Sequence, residues 1–511
     1  MSQQTAFSSR WALMFAMLSM AVGTGSIWRF PRVVATNGGG AFLLPWVIFL
    51  FIWSIPLIIT EFALGRAMKA GPIGSLVRLV GPKFAWMGAW IILVASFIMF
   101  YYSVVTGWVL RYVVASISGE LTRPNVDYQE FYDDFIASPW PIALHVICML
   151  GVLLVIYRGV SAIERVTSIL LPSLMVLVVI LTVRAMMLPG SLRGLQFMFT
   201  PNSGKLGEQV SWFEALSNYK IWLEALTQNA WDTGSGWGLI LAYAIYMRKS
   251  DDSSLNCFLL GIGNNVASLL SGVALLCTVF ALMPEAEKQI VGASNAGLAF
   301  VWYPQLFVRM PAGGLFMILF FAALFMAAFT SLISMVELAV RGLQDMGFTR
   351  NRGLVIVGVV SLLGGVPSAM NIKLLDNQDW VWGTALIVSG MMFAFVVLKF
   401  GINQFRMRYV NLPVNQMTIG PWWNIVFGAL IPLQGAILLA WFFWQTFPAK
   451  LAQDGSESTL AARFIEWLQP FAVLNTGTVL AQWAVLLVLL LAANRWMGAQ
   501  AAAQPMPKEE A

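Results

Sequence analysis

Thr24-Gly25-Ser26 and Thr233-Gly234-Ser235 interrupt two strongly apolar segments, AVGTGSIW and WDTGSGWG, and put hydroxyls and glycine where an unbroken helix would be closed. In hydrocarbon a helix satisfies its own N–H and C=O groups, whereas a glycine-broken one leaves groups that persist only inside protein or around a polar ligand. The chemistry on offer is therefore binding, since interrupted segments at corresponding places in two halves mark a midplane site for a polar ligand. Other polar residues in apolar stretches are functional candidates by default. They are Arg29, Glu61, Glu224, Gln228, Asp232, Asn264, Thr330, Ser331, Glu337, Asp379 and the lone His145. Catalytic constellations do not emerge, because there is no GxxxxGK, no GxGxxG after a strand and no Ser/His/Asp set on polar loops. A single His without a Cys cluster argues against a catalytic metal, and His145 reads as a packed residue or, alternatively, a ligand or proton relay. The chain is not expected to be an enzyme.

Composition dictates the elements that must hold these groups. Of 511 residues 59% are hydrophobic and 11% charged, far more apolar than a soluble domain. Runs of spanning length fall near 11–33, 40–65, 86–115, 141–157, 166–189, 221–246, 255–283, 314–340, 353–369, 380–400, 423–446 and 476–494, predicting an all-α membrane protein of twelve transmembrane helices. The breaks fall in the first and sixth, implying a five-plus-five inverted repeat (10–189 and 221–400), with helices 11 and 12 (423–494) added outside it. Residues 1–9 are expected as a cytoplasmic N-terminus, 10–496 as the transporter domain and the Ala/Gln/Pro-rich 497–511 as a disordered tail. Basic residues cluster in one set of loops (Arg66, Lys69, Arg78, Lys83; Arg158, Arg165; Arg248, Lys249; Arg341, Arg350, Arg352; Lys399, Arg406, Arg408), which places both termini inside a cell inner membrane. The 118–140 loop, with Glu120, Asp127, Glu130, Asp133 and Asp134 against Arg123, suits the outside. This topology accounts for the formal charge of +6, so no nucleic-acid partner is implied. Cys148, Cys257 and Cys277 lie in predicted spans with no pairing pattern.

AVGTGSIWRFPRVVATNGGGAFLLPW, FYYSVVTGW, WDTGSGWG, the region of Asn264 and AAFTSLIS together resemble the neurotransmitter:sodium symporter family, in particular its prokaryotic amino-acid branch, over about residues 10–445. The resemblance implies two sodium ions. The second would be held by carbonyls of Ser19, Val22 and Ala327 with the hydroxyls of Thr330 and Ser331, unless these two merely back-bond within their own helix. The first would use Ala21, Ser26, Asp232 and Asn264. Here the chain departs from the family, which usually has Asn at 26 and Thr or Ser at 232. Animal members bind chloride beside this ion, at positions matching Trp46, Gln228, Asp232 and Ser268, and some chloride-independent relatives carry Glu at the position of Ser268. Asp232 is read as supplying that fixed charge, so that chloride is not required; alternatively it caps the second half of helix 6.

By the same resemblance a substrate carboxylate would meet the amides of Thr24 and Gly25 and the hydroxyl of Tyr102, with Gly23 leaving room for it. Its ammonium would meet carbonyls of Ala21, Trp231 and Asp232. The side chain would be bounded by Ile98, Trp231, Gly234, Trp237, Ser331 and Met335, although the two indoles could simply pack against helix 8. A small or medium neutral amino acid is favoured. Arg29 and Asp379 match an outer-gate ion pair. Asp345 matches one side of an inner gate whose usual Arg and Trp correspond to Gln4 and Phe7, with Arg10 as the nearest substitute. Glu61 is expected to buttress the broken part of helix 6, and Glu224 and Glu337 are unassigned. The implied activity is sodium-coupled uptake by alternating access in a lipid bilayer. The rival is a sodium-dependent amino-acid sensor that uses the same site without pumping. Substrate identity and oligomeric state are not specified by the residues.

Overall fold

The computed structural model describes residues 6–202, 209–248, 250–285, 287–294, 296–450 and 458–505. Gln4 and Lys249 lie outside these. Among the described residues no β-strand occurs, and ten unbroken helices are long and apolar enough to cross a membrane. They are spans 2 to 5 (Gly40–Met68, Pro82–Ile117, Trp140–Tyr157, Val160–Met186) and spans 7 to 12 (Ser253–Leu282, Gly313–Asp345, Arg350–Met370, Ile372–Phe400, Trp422–Trp444, Thr476–Ala503). Span 1 is the bent pair Arg10–Ala21 and Gly25–Thr36, which meet at 54°. Span 6 is Tyr219–Asp232 followed by Leu239–Ala244. The predicted order of twelve is thus recovered, with the two breaks in corresponding places of spans 1–5 and 6–10. Span 12 continues to Ala503, beyond the 496 boundary read from composition, and residues 506–511 lie outside the described set.

Local chemistry explains where helices begin and break. Ser9, Asp252 and Asn371 precede spans 1, 7 and 10, and their side-chain oxygens accept from the first free N–H groups. Span 6 stops because Gly234, Gly236 and Gly238 all take positive φ (69°, 84° and 81°), a region that other residues enter only with strain. In span 1, Val22 leaves helical geometry and the chain re-enters through one wide π-turn, Gly25–Arg29, before Pro31 starts the regular second half.

Span 3 is the central column, packed by spans 4, 8, 9, 10 and 12. The first half of span 1 lies on spans 5, 7 and 8, while the two halves of span 6 lie on span 2 from either side of the break. A Cβ on Gly23 would meet Tyr102 of span 3 and Ser331 of span 8, and one on Gly238 would meet Ile91 of span 3 and Leu338 of span 8, so both breaks face these two spans. His145 is buried in span 4, its Nδ1 2.8 Å from Ser103 Oγ of span 3 and its Nε2 3.2 Å from the Leu362 carbonyl of span 9. It is the packed residue of the two readings. At the basic end, Asn494 in span 12 accepts from the Trp86 amide (2.9 Å) and donates to the Lys83 carbonyl (3.2 Å), which ties the last helix to the start of span 3.

Candidate functional site

The breaks converge on one carboxylate. Asp232, 4% exposed, accepts from Ser26 Oγ (2.8 Å) of span 1 and from Asn264 Nδ2 (3.2 Å) and Ser268 Oγ (2.8 Å) of span 7. Three spans are thereby joined through a single buried acid, and Gly25 is what lets them meet: a Cβ there would stand 3.0 Å from Asp232 Oδ1. The alternative of Asp232 as a helix cap is not what the geometry displays. Glu61 takes that role, receiving the Gly236 amide at 2.6 Å and the Leu241 amide at 3.2 Å. An acidic side chain at the free N–H groups of the second half of span 6 is also favoured by the helix dipole.

Around Ser19 a second set of oxygens assembles. Thr330 Oγ1 donates toward the Ser19 carbonyl of span 1 (2.8 Å) and also contacts Met326 and Ala327 carbonyls of its own helix (2.9 and 3.2 Å). Ser331 Oγ reaches the carbonyls of Met20 and Ala327, each at 3.1 Å. Back-bonding and cross-span contact coexist, and the span 1 carbonyl that Ser331 reaches by hydrogen bond is that of Met20.

Between the two sets lies a cavity of about 630 Å³, and every residue assigned to the substrate lines it: Ala21, Gly23, Thr24, Gly25, Ile98, Tyr102, Trp231, Asp232, Gly234, Trp237, Ser331 and Met335. The Tyr102 hydroxyl lies 3.4 Å from the Thr24 amide, whose N–H points at it, so an acceptor position beside the break is defined. A Cβ at Gly23 would come within 2.9 Å of Ser331 Oγ and 3.3 Å of Tyr102 OH, so the room here depends on glycine. Trp237 ties its indole N–H to the Ala230 carbonyl at 3.3 Å and thus offers the cavity an apolar face. The cavity continues past Arg29, Asp376 and Asp379 to Gln129 and Tyr132 near the acidic 118–140 loop.

Two gate expectations need correction. Arg29 and Asp379 both line the cavity, but among the described residues no ion pair joins them. Arg29 stacks over the Trp231 ring at 4.6 Å, and Asp379 accepts from Tyr101 OH at 2.8 Å. Tyr101 was not singled out from sequence, and its neighbour Tyr102 drew the attention. At the opposite end, Asp345 accepts the amides of Gly71 (2.8 Å) and Gly74 (2.9 Å), capping the short helix Pro72–Val80. Arg10 donates to Asn256 Oδ1 (2.8 Å), not to Asp345. That end is filled by Phe7, packed edge-on against Tyr243 and Tyr246, and by Glu337, which pairs with Arg350 (2.7 Å) and Arg341 (3.2 Å) and accepts from the Tyr246 hydroxyl. A buried acid with two arginines satisfies the requirement that intramembrane charge be paired. Of the positions matched to a chloride site, Ser268 is on Asp232, while the buried Trp46 indole N–H and the Gln228 amide have no hydrogen-bond partner.

Comparison with known proteins agrees with this geometry. The model of the Sodium:neurotransmitter symporter family matches residues 4–134 and 129–471, and the chain belongs to that family. An uncharacterized sodium-dependent transporter of Methanocaldococcus jannaschii is 29% identical over 84% of this chain and 89% of its own, and another, YhdH of Bacillus subtilis, is 30% identical over 77% and 87%. A sodium- and chloride-dependent GABA transporter of Drosophila melanogaster is 28% identical over 72% of this chain and 43% of its own. The crystal structure of MhsT in complex with L-phenylalanine superposes with a TM-score of 0.73 at 26% identity, covering 85% of this chain and 99% of that one. The protein is therefore a multi-pass sodium-dependent symporter of all-α, broken-helix architecture.

Proposed function

We propose that this protein imports a neutral amino acid by sodium-coupled alternating access, with two sodium ions and with Asp232 in place of a recruited chloride. The observation that carries the reading is the buried Asp232 carboxylate, held by Ser26, Asn264 and Ser268 on the wall of the cavity that also holds Thr24, Gly25 and Tyr102. A cation placed among Asp232, Ser26, Asn264 and the Ala21 carbonyl would share oxygen ligands with a substrate carboxylate, so each would raise the other's affinity by one and the same factor. The sodium gradient then drives uptake, at about 2.3 kcal/mol per charge for each 100 mV plus its concentration term. The apolar faces of Ile98, Trp237 and Met335 around the space beside the breaks support a neutral substrate. The acidic 118–140 end faces outward in this reading, the basic loops and both termini lie in the cytoplasm, and the membrane is the cell's inner one.

A thermal-shift screen of the twenty amino acids, with sodium or with choline, tests the site, because a ligand that binds only the native state raises its apparent stability. Stabilisation by one or a few neutral amino acids in sodium alone is expected, and equal shifts in choline would remove the coupled site. Thr330→Ala and Ser331→Ala should each lower sodium affinity about tenfold or more, the effect of deleting one oxygen from a charged partner. Unchanged sodium titrations in both would move the second ion elsewhere. Arg29→Ala should leave equilibrium binding within about threefold while speeding substrate release about tenfold, since a gate acts on occlusion and the lost cation–π contact is modest. Stopped-flow release measures it, and unaltered release would take Arg29 out of the gate.

A further inference from the structure

Spans 4 and 5 are joined by only two residues, Arg158 and Gly159, and Gly159 allows so tight a turn by taking a φ of 80°, a region open chiefly to glycine. Beside the turn lies a notch of about 280 Å³, walled by Leu154 and Val155 of span 4 and by Ala162 and Val166 of span 5. Arg158, Ser161 and Arg165 also line it, at the three- and four-residue spacing that puts side chains on one helix face. Both arginines are exposed, and neither guanidinium has a hydrogen bond, an ion pair or a ring contact among the described residues. The acid next to them in sequence does not serve them. Glu164 is occupied by the N-terminal segment, accepting the Ser8 amide at 3.0 Å and the Ser8 hydroxyl. Arg341 and Arg350, by contrast, share Glu337 as their counter-charge.

Two positive charges lining one notch favour an anion, and guanidinium forks match the oxygens of a phosphate. The surroundings say which phosphate. Leu150 and Leu154 lead away from the notch along span 4, 52% and 53% exposed, and Ile169 and Val176 continue the stripe of Arg165 along span 5, 60% and 57% exposed. Exposed apolar stripes on membrane-spanning helices lie against lipid tails. We propose that the notch between spans 4 and 5 binds the headgroup phosphate of an anionic phospholipid through Arg158, Arg165 and the Ser161 hydroxyl, with the acyl chains lying along those two stripes. Basic pockets between helices at a membrane face are recurrent seats for anionic headgroups. The site is on the lipid side of the protein and does not depend on what is carried.

The test is native mass spectrometry of the full-length protein, stripped of lipid in detergent and titrated with phosphatidylglycerol or phosphatidylcholine carrying the same acyl chains. The first bound lipid should show a preference for phosphatidylglycerol of about tenfold or more, the scale expected of two arginines at a membrane surface. Arg158→Gln with Arg165→Gln should cut that preference to within about twofold. Arg352→Gln with Arg408→Gln, two exposed arginines elsewhere, should retain it. An unchanged preference in the first pair, or an equal loss in both pairs, overturns the proposal. So does full displacement of phosphatidylglycerol by an equal concentration of inorganic phosphate, which would leave a site for a free anion. Arg158→Lys with Arg165→Lys keeps the charge but not the planar fork, and should lose about threefold or more of the preference. Should the glutamine pair fail to accumulate, the lysine pair decides, and an unchanged preference in it is the contrary result. The transport reading fails on a different measurement, the absence of any amino acid that stabilises the parent protein.

Discussion

Asp232→Asn is expected to lower sodium-dependent uptake about a hundredfold or more, the scale on which removing one partner from a buried charge interaction acts. The substitution keeps the shape of the side chain, and Ser26, Ser268 and Asn264 can still bond to an amide. What disappears is the fixed negative charge that would offset sodium in a site 4% exposed to solvent. The Gln228 amide faces the same side chain and remains as a donor for an anion, so added chloride should recover part of the lost rate in this variant. In the unaltered protein, replacing chloride by gluconate on both sides of a proteoliposome membrane should leave the initial rate nearly unchanged. Loss of most uptake in gluconate would reduce Asp232 to a sodium ligand that still needs a separate anion.

Glu61→Ala carries the second large effect, and it falls on the fold around the site. Glu61 is fully buried and accepts two amides of span 6, that of Gly236 in the unwound part and that of Leu241 in the first turn of the second half. Deleting it strands both donors, at about 1–3 kcal/mol each, so about 2–6 kcal/mol of stability should go with it. Glu61→Gln keeps one acceptor and should lose about half as much. Thermal unfolding in detergent measures both. A Glu61→Ala protein as stable as the parent would mean that the second half of span 6 is held by its packing on span 2 alone.

The order of spans was legible because each is a long apolar run, and the two breaks were legible because glycine and hydroxyl residues recur at the same place in both halves. The residues assigned to the substrate were picked out by the local motifs in which they sit, and all of them line one cavity. Pairings that depend on how two distant helices face each other were not legible. Asp345 was matched to half of a gate by resemblance alone, and the amides that satisfy it come from the turn at Gly71 to Gly74, which its own motif does not announce. Arg29 and Asp379 line one cavity, but Arg29 lies over the Trp231 ring and Asp379 accepts from Tyr101, contacts made between distant helices. Glu337 could not be assigned until Arg341, Arg350 and Tyr246 were seen around it. Backbone acceptors were the hardest class, because the carbonyl that Ser331 reaches, that of Met20, is set by dihedral angles that no side chain announces.

The central claim is that sodium binding and amino-acid movement are one coupled event. It is tested most directly in proteoliposomes preloaded without sodium, by following a labelled neutral amino acid chosen from the stability screen under an inward sodium gradient. The account predicts accumulation above the external concentration, lost when a sodium ionophore equalises the gradient and absent in Asp232→Asn without chloride. Binding of the same amino acid with no accumulation at any sodium gradient would contradict it and leave a sensor built on a symporter's site.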